Sequence, residues 1–555
     1  MQVSRRDFTR GAVAIAASGA FARPAFAQIG PGLSGQQRAL GAIREFAEAH
    51  RAWFDLPALT LGVTSPSGFS SVIHSGFADP TLRTPVSDST YFQIGSISKN
   101  FTAAMIHQFA SEGRLKLSDR FSAALPGAPL PAGNSITVQD MLDHVAGLPG
   151  DAPTFPRGGL WTVYAPGKHW HYSNTGYDLV GRLAEHVGRK PLDQLLAERD
   201  FGPMGMTRTR GAILGAERLQ YAQGYEQANP ALPFVRGTPL APAPWVDVTT
   251  AAGSIASTAS DMNLYLRSLA NAAQGRGGMG LGPKAGLAFT SHSVPSDSPQ
   301  MAYGNGLMHV EAGGRRYLHH TGGMISFTSA FHVDVGNGVG AFASSAISAF
   351  SGYRPRTLTM FAVDAIAAAE AGRPLPQAPA LDRAIENAAD YAGRYAAGDR
   401  SFEIRSGPAL TIVANGAEAR LEPFGGDSFG TLHPDFREFA LMFDRSGKAV
   451  TSAAWGPDTF VRDGATVRVA PSDPKLAALA GRYVNDDPWM GTTIVVERGG
   501  KLWLGTDTPL VRIADNRWRV GEESWSPEWV SFKDVSNGRP QTLVFSAVEF
   551  DRRDT

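Results

Sequence analysis

Phe92-Gln93-Ile94-Gly95-Ser96-Ile97-Ser98-Lys99-Asn100-Phe101-Thr102-Ala103 is the stretch on which the reading of the chain turns. Gly95 permits a tight turn after a short apolar run. Ser96 then stands at the start of a helix predicted from the spacing of Phe101, Ala104, Met105 and Phe109. A separation of three is roughly one helical turn, so Ser96 and Lys99 project from one face, close enough for an amine to take the proton of a hydroxyl. Unpaired backbone N–H groups and the positive end of the helix dipole also favour an oxyanion beside Ser96. Ser472-Asp473-Pro474-Lys475 has the same spacing and serves as a control. With Pro474 inside it and polar turn residues around it, that copy reads as a linker with no helix to align the two side chains.

A chain of 555 residues, 43% hydrophobic and 18% charged, exceeds one core and predicts two to four domains. Its formal net charge is zero and it carries no long Lys/Arg run, so neither nucleic acid nor an anionic membrane surface is an expected partner. The absence of cysteine excludes disulfides, a thiol nucleophile and Cys-based metal sites. At the N-terminus, Arg5-Arg6 precedes a short apolar stretch over 11–22, and Ala25-Phe26-Ala27 has the small-x-small form of a cleavage site. The stretch is too short to span a bilayer. Residues 1–27 thus resemble a Tat export signal, which implies the Tat machinery as a partner and a mature protein in the periplasm or outside the cell, free of the membrane.

Further along, a first helix is predicted over 36–54, and strands over 59–65 and 69–77 flank the turn Pro66-Ser67-Gly68. Residues 136–149 read as a capped helix closed by Gly147 and Pro149, with His144 tying down the loop that follows. Tyr172-Ser173-Asn174 falls in a loop ahead of a helix over 177–187, where functional side chains are commonly presented. Thr258-Ala259-Ser260-Asp261 announces another helix. Arg315-Arg316-Tyr317-Leu318-His319-His320-Thr321-Gly322-Gly323 reads as a strand ending in glycines. It precedes a hairpin around Gly336-Asn337-Gly338 and a helix over 356–371. Hairpin strands at both ends with helices between predict an α/β domain: one antiparallel sheet built from both ends, flanked by helices, with a helical subdomain from the middle.

Residues 373–383 form a stiff, proline-rich linker out of this 34–372 domain. Beyond it an internal repeat appears, since Tyr391-Ala392-Gly393-Arg394-Tyr395 is echoed by Leu479-Ala480-Gly481-Arg482-Tyr483. Each copy precedes alternating strands, which predicts two small antiparallel β-barrels over 384–468 and 472–552.

A serine hydroxyl is a poor nucleophile until a base takes its proton. Lysine and tyrosine start near pKa ~10.4 and ~10, so Lys99 and Tyr172 need each other, or burial, to act. Asn174 can orient Lys99 and bind a substrate carbonyl, and His320 can support Tyr172 or contact the substrate. Gly322 and Gly323 let a ligand approach the backbone, and the N–H groups of Gly323 and Ser96 would form an oxyanion hole.

Ser96-Ile97-Ser98-Lys99, Tyr172-Ser173-Asn174 and His320-Thr321-Gly322, in that order, resemble the three motifs of the penicillin-recognising serine hydrolases, in the class C β-lactamase-like branch. Residues 92–103, 137–149, 201–206 and Ala252-Gly253-Ser254 are similar to that branch at its usual places. The resemblance covers about 36–371 and implies Ser96 as the acylated nucleophile, Lys99 and Tyr172 as proton-transfer groups, and an acyl-enzyme resolved by water. It departs at the third motif, which in β-lactamases and many DD-peptidases begins with lysine and here begins with His320. That change is similar to D-aminopeptidases and β-lactamase-like esterases. The two barrels resemble the three-domain layout of bacterial D-aminopeptidases, in which the last barrel sends a loop into the active site; residues 507–525 are the expected loop. The function expected is therefore an exported serine peptidase or amidohydrolase of small peptides, D-aminopeptidase-like. A carboxylesterase is the alternative, ahead of a β-lactamase, a DD-carboxypeptidase or a non-catalytic peptidoglycan-binding protein. No cofactor or metal is expected.

Overall fold

The computed structural model describes residues 34–382 and 384–553. The expected export signal, 1–27, lies outside the described residues. The first helix, Gly35–Trp53, begins where Ser34 accepts from Gln37 N–H and the Gln37 side chain accepts from Ser34 N–H. Such a reciprocal cap is worth about 1 kcal/mol. Its apolar stripe of Ala39, Ile43, Phe46 and Ala47 is buried, and Phe46 meets Phe361 of the helix Arg356–Glu370 edge to face at 5.0 Å.

These two helices cover one face of a nine-stranded antiparallel sheet. Its order runs Thr84–Pro85, Ser70–Asp79, Ala58–Thr64, Gly340–Ser345, Thr328–Asp334, Arg315–Gly323, Leu307–Ala312, Met301–Gly304, Val294–Pro295. The two ends of the domain thus meet at the sheet centre, where Leu59 pairs with Ser345. The central strands are buried along their whole length because helices lie on both faces, the other being covered by Ala259–Ala273. There Leu266 sits so close to Gly340 that a Cβ would fall 2.9 Å from its own.

The helix after Ser96 runs Ser98–Ser111 and is buried on every side through Phe109, so it is the axis of the helical subdomain. The helix expected over 136–149 is shorter, Val138–Leu142. Thr137 and Asp140 cap it as the sequence indicates, but His144 adopts φ +62°, which ends the helix well before Gly147. The helix expected over 177–187 starts earlier, at Asn174, because Ser173 Oγ accepts from Gly176 N–H. The control site differs too. Pro474–Ala477 is a short helix, started by an Asp473 cap and a proline at its first position. Ser472 stands outside it and donates to Glu497.

Beyond the linker are two closed eight-stranded antiparallel barrels, spanning Gly393–Ala397 to Asp458–Arg462 and Gly481–Val484 to Val548–Arg553. The repeated sequence opens each, and the same bond recurs: Tyr395 Oη donates to Tyr391 O and Tyr483 Oη to Leu479 O, both at 2.8 Å. The first barrel docks through Glu422, which pairs with Arg236 at 3.0 Å. The expected 507–525 loop is mostly strand, Thr508–Ala514 and Arg517–Val520, because its alternating residues complete the barrel. Of it, Trp525 touches the first domain, joined by Pro527, Glu528 and Trp529 just beyond the expected range.

Candidate active site

Gly95, at φ +54°, opens a 3-10 turn, Gly95–Ile97, that runs straight into the buried helix. A Cβ on Gly95 would fall 2.6 Å from Gly323 N, and one on Gly322 would fall 1.8 Å from Ile94 O. Any side chain at either position would push the strand end off the turn. Ser329 Oγ donates to Ile94 O at 2.8 Å and Ile255 N–H donates to Ser98 Oγ at 3.0 Å, which fixes the turn from two more sides.

Lys99 has no solvent exposure. Its Nζ lies 3.2 Å from Ser96 Oγ and 2.7 Å from both Asn174 Oδ1 and Ala252 O. Burial pulls its pKa down to about 7, and the Asp178 and Asp151 carboxylates oppose that shift. Tyr172 lies beneath it, with Nζ 4.9 Å from the ring centroid. Desolvation raises the Tyr172 phenol above the usual tyrosine range, while its hydrogen bond with Ser96 works the other way. Near neutral pH the amine is therefore the group able to accept a proton, and the phenol the group that holds one.

Asn174 bridges the site to its wall. While Oδ1 accepts from Lys99, Nδ2 donates to Asp151 Oδ1 at 2.6 Å, and its backbone N–H donates to Gly150 O at 2.8 Å. His144 ties the loop as expected: its Nδ1 accepts from Ser173 N–H at 3.1 Å and its carbonyl accepts from His171 N–H at 2.8 Å. Its ring also packs 4.2 Å from that of Tyr172. His320 packs behind Tyr172, ring against ring and through Tyr303. Its Nδ1 contacts Thr321 O at 2.6 Å, its Nε2 meets Tyr303 Oη at 3.1 Å, and its ring centroid is 6.4 Å from that of Tyr172. Burial lowers its pKa to about 3, so it is neutral and braces the aromatic wall through Tyr303.

The structure brings together Ser96, Lys99, Tyr172, Asn174, Gly322 and Gly323, with His320 one residue behind. It adds groups that the sequence does not single out. Asp178, one turn along the helix from Asn174, accepts from Thr250 Oγ1 and is held above the usual carboxylate range by burial. Thr250 Oγ1 in turn accepts from the N–H of Ala252, whose carbonyl holds Lys99. Arg354 lies half-buried beside Gly323, where a Cβ would lie 3.0 Å from its Nη2, and desolvation lowers its pKa to about 9. Among the described residues, no group of three or more His, Cys, Asp or Glu side chains is placed to hold a metal ion. A hydroxyl, a nearly neutral buried amine, a protonated phenol and two closely packed backbone segments can together form and resolve an acyl ester.

A family model described as Beta-lactamase matches residues 39–357. A Beta-lactamase from Pseudomonas fluorescens is 28% identical over 196 residues, 32% of this chain and 51% of that protein. The chain spans about half the length of the curated relatives it matches first. The octameric penicillin-binding protein homologue from Pyrococcus abyssi superposes with a TM-score of 0.56 at 20% identity, covering 77% of this chain and 98% of that one. D-amino acid amidase from Ochrobactrum anthropi SV3 does so with a TM-score of 0.50 at 24% identity, covering 60% and 99%. At those identities the two structures speak for the fold. With more than half of its length matched by the family model and its first domain folded as described, the chain belongs to the Beta-lactamase family.

Proposed function

We propose that the protein is an exported serine hydrolase working through an acyl-enzyme on Ser96, a peptidase or amidohydrolase of small peptides, including those that carry D-residues. The observation that carries this reading is the buried Lys99 amine 3.2 Å from Ser96 Oγ, its pKa lowered to about 7. Neutral Lys99 takes the Ser96 proton as Oγ bonds to the substrate's carbonyl carbon. The carbonyl π electrons move to oxygen, which the N–H groups of Ser96 and Gly323 receive; losing one such donor typically costs roughly 10²–10³ in rate. Collapse re-forms the carbonyl and expels the amine, which takes its proton from Tyr172 while Lys99 re-protonates the phenol. Water then attacks the ester as Lys99 takes its proton, and Ser96 leaves with one.

The Asp151 carboxylate, held at the cleft wall by Asn174, offers an amine-bearing substrate a counter-charge. Neutral His320 supplies no cation where a β-lactam carboxylate would be held, which argues against antibiotic turnover. The second reading, a carboxylesterase, draws on the Tyr172 phenol: a weak acid serves an alkoxide leaving group more readily than an amide nitrogen. Assaying D- and L-alanine p-nitroanilides beside p-nitrophenyl butyrate separates the two, since ester cleavage without anilide cleavage would reverse their order. Export rests on Arg5-Arg6 and Ala25-Phe26-Ala27. Replacing both arginines by lysine is expected to retain the protein in the cytoplasm, and unchanged export would refute a Tat route.

A further inference from the structure

Resting on the Ser96 reading, we propose that Glu528, supplied by the second barrel, is a positioning residue for the catalytic group. Its carboxylate is only 4% exposed. One oxygen, Oε1, accepts from Gly150 N–H at 2.7 Å and meets His171 Nε2 at 3.1 Å, while Oε2 accepts from Ser546 Oγ of its own barrel. Gly150 directly precedes Asp151, and His171 directly precedes Tyr172. The peptide that donates the Gly150 N–H carries the Pro149 carbonyl, which accepts from Ser173 Oγ at 2.6 Å, and the next carbonyl, Gly150 O, accepts from the N–H groups of Asn174 and Thr175 at 2.8 and 3.1 Å. One carboxylate therefore anchors two successive peptides that seat Ser173 and the start of the Asn174–Gly188 helix, and with it the amide that holds Lys99.

Neighbouring contacts keep that carboxylate in place. Trp161 Nε1 donates to Pro527 O at 2.8 Å, and the Trp525 indole stacks on His169 at 4.6 Å and 7°. Without Glu528 the buried Gly150 N–H loses its acceptor, at a cost of roughly 1–3 kcal/mol that the loop escapes only by moving. Movement there loosens the Asn174 clamp, admits water to Lys99 and raises its proton affinity toward that of a free lysine.

The test is the rate of Ser96 labelling by a fluorophosphonate, followed by intact mass against pH, for wild type, Glu528→Asp and Glu528→Gln. Aspartate keeps the charge but withdraws the acceptor by one methylene; glutamine keeps the reach. Expected are an at least tenfold slower rate for Glu528→Asp, with its acidic limb moved to higher pH, and recovery of a third or more of the wild-type rate in Glu528→Gln, since a displacement of about 1 Å can cost up to 10² in rate. Lys533→Ala, an exposed pair on the same barrel, controls for surface effects. Equal rates and unshifted limbs for the Asp and Gln variants overturn the inference, as does an aspartate loss matched by a lowered melting temperature with no shift of the limb. Wild type that shows no labelling at Ser96 instead overturns the hydrolase reading, and this inference with it.

Discussion

The two barrels share strand count, opening sequence and the tyrosine bond that closes the first strand, yet the connection between their fifth and sixth strands goes in opposite directions. In the first barrel that connection, 432–440, turns inward. Phe436 is buried against Phe402 and Phe460 at ring distances of 5.0 and 5.8 Å, its carbonyl accepts from Trp455 Nε1 at 2.9 Å, and His433 is fully buried. In the second, 521–528 turns outward and spends Trp525, Pro527 and Glu528 on the first domain. One frame thus carries a plug in one copy and a brace in the other. What differs is the side chain at the bend: a phenylalanine is most stable inside its own barrel, whereas a carboxylate cannot stay buried without donors and finds them at Gly150 and His171.

The largest effect expected from breaking this contrast is on stability. Phe436→Ala should cost about 3–5 kcal/mol in a chemical-denaturation measurement, with the Ser96 labelling rate unchanged, because the plug serves only its own barrel. Next, Trp525→Ala should slow labelling by about fivefold to tenfold, around 1 kcal/mol of barrier, while leaving the unfolding transition near its wild-type position; a stability loss without a rate loss would make the outward loop another plug. The smallest effect sharpens what the barrels share: Tyr395→Phe should cost about 0.5–1.5 kcal/mol, since it removes one hydroxyl-to-carbonyl bond, and Tyr483→Phe somewhat more, since that hydroxyl also accepts from Arg552 Nη1 at 3.0 Å.

Much of the frame was legible in the sequence. Apolar spacing over 36–54 marks the first helix, turn residues mark both hairpins, and the repeated Gly-Arg-Tyr marks the two barrels, because turns and periodicity are local signals. The helix end at His144 was not legible, since its left-handed backbone is set by Ser173 and His171 far along the chain. The same limit governs the site. Ser96, Lys99 and Tyr172 stand in recognisable spacing, whereas Tyr303, Asp178, the Ala252 carbonyl and Glu528 gain their roles only when distant segments meet. The Ala252-Gly253-Ser254 stretch was the one available signal among these. His320 carries the right position for the third motif, but only the fold shows that its nitrogens are engaged by Thr321 and Tyr303.

The most direct test of the account is the pH dependence of fluorophosphonate labelling, read by intact mass, in wild type and Ser96→Ala. A lysine held near pKa 7 by burial must lose its proton before it can act as base. Labelling is therefore expected to rise through about pH 7 to a plateau and to vanish in Ser96→Ala, a variant that keeps the wild-type melting temperature. Labelling that survives in Ser96→Ala, or a wild-type rate still climbing toward pH 10 as for an ordinary lysine, would contradict it.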